Sequence, residues 1–486
     1  MENWLTKQAK LVPQKTALIF EEHIWSFKQL KNEVIRTAGC LTKANLQREH
    51  RIALIPANTS NSYFMLLALQ QLGITPVLLN FRLSSAELER QLDNAHLKVV
   101  LFDDELALRL DGCKELQKKW FVSSLAEIRK SAAAQPVIKQ EFPETSTASI
   151  MYTSGTTGNP HGVIQSFRNH FYSAVGSAFN LGVSPDDLWL CAVPLFHISG
   201  LSIVMRSLVY GMGVLLTRRF EAAEITRLLC RQPVTLMSVV PQMLEQLLAV
   251  FPKSGYQKHF RAFLLGGAAI SKTTLAACQE KKLAVIQSYG MTETCSQIVA
   301  LNFADAARKI GSVGKPLFPV QLRIAGQDEG EIQIKAPNVV SGYLNNKDQF
   351  EKKLTSDGWF RTGDIGTLDT EGFLFVKGRS DEMFVSGGEN IFPNEIEEVY
   401  MTLPIIQEIA VIGVSDKKWG EVPCAFFVAA KELDKKFLCS YGRKVIAHYK
   451  VPKYFIQVSQ LPHTASGKIK HYALRNYFES NQKTSF

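Results

Sequence analysis

The sequence predicts an α/β protein with a large N-terminal domain and a smaller C-terminal one, and three observations carry that prediction. First, apolar runs of strand length, Ile52–Ile55, Val99–Phe102, Leu188–Val193, Gly213–Leu216 and Leu236–Val240, alternate with helical-period stretches such as Glu224–Leu229 and Met243–Val250. Strands that alternate with helices imply parallel sheets covered on both faces. Second, the pattern turns to two-residue alternation around Glu331–Ile334 and Phe373–Val376, which predicts a small β meander. Third, the polar stretch GRSDEMFVSGGEN, Gly378 to Asn390, precedes a short mixed segment, and its charged, glycine-flanked Arg379–Asp381 suits a domain boundary. The expected division is 1–380 and 381–486, and 486 residues are too many for one ordinary core.

Composition narrows the class. A hydrophobic share of 46% with 21% charged residues is that of a soluble globular protein. Cys40, Cys113, Cys191, Cys230, Cys278, Cys295, Cys424 and Cys439 are scattered without CxxC pairing, which favours reduced thiols and a cytoplasmic location. The opening MENWLTKQAKLVPQKT has no apolar core of a signal peptide. The most apolar region, Leu201–Thr217, is broken by Arg206, Gly211 and Gly213, short of the ~18 residues of a transmembrane helix. The net charge of +10 raises nucleic acid as a partner, but from Asp381 onward 13 basic residues face 12 acidic ones, and no run of five basic residues occurs anywhere. The excess is diluted over the large domain, where small anionic substrates account for it; association of the chain with itself is left open.

The stretch Met151 to Gly162, MYTSGTTGNPHG, is read as a loop between the strand-like Ser149–Thr153 and a predicted helix over Val163–Phe179. Gly155, Gly158 and Gly162 let the backbone turn its N–H groups inward, and Thr153, Ser154, Thr156 and Thr157 add hydroxyl donors, the set a polyphosphate requires. No Walker spacing begins at Gly155 or Gly158. Taken alone, such a loop is equally a surface turn.

The same stretch resembles the phosphate loop of the acyl-adenylate-forming superfamily, which includes acyl-CoA synthetases, peptide-synthetase adenylation domains and luciferases and usually reads TSGTTGxPKG. The likeness recurs in family order in PLFHISG (Pro194 to Gly200), LLGGA (Leu264 to Ala268), QSYGMTET (Gln287 to Thr294), GWFRTGD (Gly358 to Asp364), GRSDEMFVSGGENIFPNEIE (Gly378 to Glu397) and LPHTASGKIK (Leu461 to Lys470). It implies a large domain of helix-covered mixed sheets with a small β-subdomain, followed by a mobile α+β C-terminal domain. It also implies ATP, Mg²⁺ and CoA as cofactor and co-substrates.

Each implied role stands beside a plainer reading. Gly267 and Ala268 resemble the family's adenine wall, though a glycine pair is more often a tight turn. Ser288, Tyr289 and Gly290 take the position flanking adenine and α-phosphate, where Tyr289 by itself reads as core. Thr292 and Glu293 follow an apolar strand, and a carboxylate there suits Mg²⁺, which takes few protein ligands; alone, Glu293 is a solvated side chain. Asp364 is the implied ribose reader, and the planar fork of Arg379 suits phosphate or ribose oxygens. Lys468, otherwise a solvated lysine, resembles the cation that bridges carboxylate and α-phosphate during adenylation. Asp381 is the implied hinge, and Gly387 and Gly388 the thiol channel.

His197 and Ser199 fall in the family's acyl and thioester region. Arg206, the single charge in LSIVMRSLVYGMG, either extends to solvent or awaits an anion. Within the superfamily, PLFHISGLS, QSYGMTETCSQ and SGGENIFP resemble the CoA ligases that act on an aromatic keto-dicarboxylate, 2-succinylbenzoate, in menaquinone biosynthesis. That resemblance implies Arg206 as the partner of the distal carboxylate. An aryl- or fatty-acyl–CoA ligase, or a homologue that binds nucleotide without turnover, remain the other readings. His161 departs from the family, standing where Lys or Arg is usual, and a histidine there predicts a weaker or more pH-dependent hold on ATP.

Overall fold

The predicted strands Val99–Phe102 and Gly213–Leu216 form with those bounds in the computed structural model, which describes residues 1–107, 118–153, 160–268, 270–463 and 469–482. Contacts divide the chain into two units. The first gathers Met1–Ile270, Ala276–Leu322 and Ile334–Phe360, and the second Ser271–Leu275, Arg323–Gln333 and Arg361–Phe486.

The first unit holds two mixed sheets. In one of nine strands, Thr16–Phe20, Gly213–Leu216, Leu188–Cys191, Leu236–Val239, Ala262–Leu265 and Val285–Met291 run parallel. Antiparallel His23–Ser26 and Ser296–Ala300 flank them. Leu188–Cys191, Gly213–Leu216, Leu236–Val239 and Ala262–Leu265 are buried throughout. Helices on both faces leave no wet side, which is why these strands read as continuous apolar runs rather than alternating ones. In the other sheet, Phe121–Ser124, Val99–Phe102, Arg51–Ile55, Thr75–Leu78 and Thr147–Thr153 run parallel, and His161–Ser166 closes the edge antiparallel.

That closing strand corrects one expectation. His161–Ser166 is not the start of a helix; it pairs with Thr147–Thr153, and the helix begins only at Phe167 and runs to Leu181. Backbone hydrogen bonds across the sheet edge hold the segment extended. Ser166 then caps the helix: its hydroxyl accepts from Asn169 N at 3.2 Å, while Asn169 Oδ1 accepts from Ser166 N at 2.9 Å. The glycine- and hydroxyl-rich segment therefore joins two antiparallel strands.

The predicted meander comprises Gln321–Ala325, Glu329–Lys335, Phe360–Leu368 and Leu374–Arg379 in consecutive order, most of its residues in the second unit. Asp381, the expected hinge, follows its last strand in a turn. The long hairpin Ile406–Asp416 and Gly420–Ala429 anchors a further sheet, and the helix Pro393–Tyr400 buries Ile396 and Tyr400 against Val411, Phe427 and Leu438.

Candidate active site

In the nine-stranded sheet, Leu188–Cys191 is connected onward to Gly213–Leu216 on one side, while its other neighbour, Leu236–Val239, is connected to Ala262–Leu265 on the opposite side. Connections diverging from adjacent parallel strands open a crevice at their carboxyl ends, where open α/β sheets place ligands. The chain leaving the first of these strands carries His197, half-buried at the N-cap of helix Ile198–Tyr210 with its ring 4.6 Å from that of Phe196, and then Ser199 in the first turn.

Arg206 lies two turns further along this helix and is 1% exposed, so it does not extend to solvent. Nη2 donates to Ser296 Oγ at 3.2 Å, and the guanidinium lies 5.2 Å from the Trp189 ring centroid. Nε has no partner, and no carboxylate pairs with the group among the described residues. Burial lowers its affinity for the proton, offset in part by Tyr210. The uncompensated cation is felt nearby: burial, and then Arg206, push His170 down to about 3, leaving it neutral with Nε2 3.0 Å from Ser149 Oγ.

Glu293 sits half-buried in the turn Thr292–Thr294, which follows the strand Val285–Met291. Its Oε1 accepts from the Tyr343 hydroxyl at 2.9 Å. Thr292 is fixed through its carbonyl, which accepts from Gln165 Nε2 at 2.9 Å. Beyond the turn, Cys295 and Ser296 hold left-handed backbone at φ 51° and 103°, a conformation costly for residues with a Cβ. This bend returns the chain against Gly290, where a Cβ would come within 2.1 Å of the Ser296 carbonyl oxygen.

His161 follows Thr153 across the hairpin register and is half-buried. Its ring stacks on that of Tyr343 at 4.8 Å and 17°, and Asn346 Nδ2 donates to its Nδ1 at 3.3 Å. Burial lowers its basicity, opposed in part by Glu293 and helped to a lesser degree by Lys353.

Ser288 donates to the Leu265 carbonyl at 2.9 Å, tying the segment Ser288–Gly290 to the end of strand Ala262–Leu265, beyond which Gly267 and Ala268 are exposed. In the second unit, Arg379 joins three of the expected residues' neighbourhoods: Nη1 donates to Asp364 Oδ1 at 3.2 Å and to the Thr362 carbonyl at 3.1 Å, and Nε to Asp381 Oδ1 at 3.1 Å. Burial alone would lower this guanidinium, but the two carboxylates outweigh it and hold it above its ordinary value. Gly387 and Gly388, at φ 60° and 92°, form the two-residue turn between Phe384–Ser386 and Glu389–Ile391, a geometry that by itself asks for glycine. Ser154, Gly155, Thr156, Thr157, Gly158, Lys468 and Cys113 lie outside the described residues.

Sequence reasoning did not single out Tyr343, Asn346, Gln165 or Ser296. Only Ser296 carried a signal, as a neighbour of the QSYGMTET run.

With mixed sheets, a reversal of strand connection in the larger one and a carboxylate turn packed against the strand His161–Ser166 in place, the class is defined. The chain belongs to the AMP-binding enzyme family: it matches that family over residues 5–344 and the AMP-binding enzyme C-terminal domain over residues 395–468. More particularly, it is 45% identical over 479 residues to the 2-succinylbenzoate–CoA ligase of Listeria monocytogenes serovar 1/2a, covering 98% of this chain and 99% of that one. Its fold is similar to that of o-succinylbenzoate CoA synthetase from Bacillus subtilis in complex with the acyl-adenylate intermediate OSB-AMP, with a TM-score of 0.93, 39% identity, and coverage of 99% of this chain and 98% of that one. The Bacillus subtilis enzyme in complex with ATP and magnesium ion gives a TM-score of 0.92 at 39% identity, covering 99% of each chain.

Proposed function

We propose that the chain is an ATP-dependent 2-succinylbenzoate–CoA ligase of menaquinone biosynthesis, acting in the cytoplasm, where ATP and CoA are at hand. The aliphatic carboxylate of the acid attacks the α-phosphate of ATP, giving acyl-AMP and pyrophosphate; the CoA thiol then displaces AMP. The relatives named for this activity span nearly the whole chain, which supports the reading throughout its length.

The residue roles belong to the same proposal. Thr153 and the loop Ser154–Gly158 hold the β- and γ-phosphates; Gly267, Ala268, Ser288, Tyr289 and Gly290 enclose adenine and α-phosphate; Asp364 and Arg379 receive the ribose. Lys468 meets the charge that develops as two anions approach, Asp381 is the hinge, and Gly387 and Gly388 admit the thiol, with His197 and Thr292 beside the reacting carboxyl. Glu293 fits Mg²⁺: Oε1 accepts a hydrogen bond from the Tyr343 hydroxyl, while Oε2 makes no hydrogen bond among the described residues, leaving a hard anionic oxygen for the cation. When bound, the cation supplies neutralisation of phosphate charge.

Arg206 carries the choice of acid. A fully buried guanidinium with one hydroxyl partner and no carboxylate is expensive. The second carboxylate of 2-succinylbenzoate would compensate it, and a fatty acid or simple aryl acid has none to offer. Acid-dependent pyrophosphate release across a panel of 2-succinylbenzoate, benzoate and fatty acids tests the reading. Turnover with 2-succinylbenzoate well above all others is expected; preference for a monocarboxylate overturns it, and ATP binding with no acid-dependent release identifies a non-catalytic homologue.

A further inference from the structure

The segment Val340–Leu344 is laced between two parts of the site that lie far apart in sequence. On one side, Val340 N donates to the Glu293 carbonyl at 2.9 Å. On the other, Leu344 N donates to the Gly162 carbonyl at 2.7 Å, Ile164 N donates to the Gly342 carbonyl at 3.2 Å, and Tyr343 bridges Val163. Tyr343 sits between them with two faces in use. Its hydroxyl meets Glu293 Oε1 at 2.9 Å, and its ring is covered by that of His161, the first residue of the strand His161–Ser166. Phe350 closes the ring's surroundings edge-on at 5.3 Å, and the residue is 6% exposed.

We infer that Tyr343 is a positioning residue for the metal-binding carboxylate, and that His161 serves by stacking on Tyr343 rather than as a cation for phosphate. A glutamate has three side-chain torsions to fix, and the donor on Oε1 selects one orientation, which would leave Oε2 to hold the cation. Groups that orient a ligand in this way typically change metal affinity 10–100-fold when lost. A cationic Lys or Arg at 161 would contribute charge to the phosphates; a ring at 161 instead holds the tyrosine against the strand His161–Ser166, so that this strand and the carboxylate of Glu293 share one support.

The inference rests on the proposed reading of Glu293 as the Mg²⁺ ligand, but its test needs no acid or CoA, so failure of the acid assignment leaves it standing. Calorimetric titration of the full chain with Mg·ATP, with ATP in EDTA and with AMP separates the possibilities. Tyr343→Phe keeps the ring and removes the hydroxyl; about tenfold weaker Mg·ATP binding is expected, with AMP and metal-free ATP unchanged. Unchanged Mg·ATP affinity, or an equal loss for AMP, overturns the role. Adding Glu293→Gln to Tyr343→Phe should cost no more than Glu293→Gln alone, whereas additive losses show that the tyrosine does not act through the glutamate. His161→Phe should bind Mg·ATP as the native chain does, while His161→Ala weakens it; if both fall alike, the stacking account is wrong.

Discussion

Arg206 donates to Ser296 Oγ at 3.2 Å, and that hydroxyl is the single hydrogen-bond partner of the guanidinium among the described residues. One neutral partner does not offset the burial of a full charge, so the position costs stability in the absence of substrate.

Arg206→Met should therefore separate two properties that usually fall together. Methionine fills a similar volume without a charge, and the variant is expected to be as stable as the native chain or more so by about 1–3 kcal/mol. Its KM for 2-succinylbenzoate should rise at least tenfold, about 1.4 kcal/mol, with the KM for ATP unchanged. Urea midpoints and steady-state kinetics check both halves; a variant that loses stability while keeping its KM contradicts the assignment.

Arg379 divides its fork between Asp364 and Asp381. Lysine keeps the charge but offers a single point, and cannot serve both carboxylates in one plane. For Arg379→Lys, the KM for ATP should rise about tenfold, the order of a lost charge-assisted hydrogen bond. Because the arginine is one-third exposed, thermal unfolding should report a cost of only about 1 kcal/mol. Unaltered KM with a large drop in stability would make the cluster purely structural.

Glu397 is half-buried in the second unit, where its Oε1 accepts from Val411 N at 2.7 Å, and desolvation there pushes its carboxyl up to about 7. A carboxyl whose folded value is raised contributes stability that is complete below about 4.5 and is lost as pH rises through 7. His471, bound to Glu382 at 2.9 Å, acts in the same direction: burial would lower it, but Glu382 and Glu397 outweigh that and raise it. Glu397→Gln keeps an acceptor for Val411 and removes the titration. The variant should match the native chain at pH 4.5 and exceed it at pH 8 by up to about 3 kcal/mol. Denaturant midpoints at the two values check the sign; a variant less stable at pH 8 refutes it.

The sheet was legible wherever a strand is buried on both faces, because Leu188–Cys191 or Gly213–Leu216 then shows as an unbroken apolar run. The edge strand His161–Ser166 was not, because what makes it a strand is pairing with Thr147–Thr153 rather than a period of its own. The helix start was missed with it: the cap formed by Ser166 and Asn169 places it at Phe167 rather than Val163. Asp364 and Arg379 were each singled out, but the hydrogen bond that joins them was not. Tyr343 was invisible: its meaning lies in a contact to Glu293 fifty residues away and in the ring of His161, and neither leaves a local pattern.

The left-handed backbone at Ser296 bears on how this protein can change over time. A side chain at that φ costs about 1–3 kcal/mol that glycine would not incur. Replacement by glycine would thus be welcome to the backbone, and would remove the hydroxyl that holds Arg206. Drift toward a sturdier chain and retention of a dicarboxylate pocket pull this codon in opposite directions. Under the proposed function, a serine that persists there against that pull reports that the acid is still being selected for.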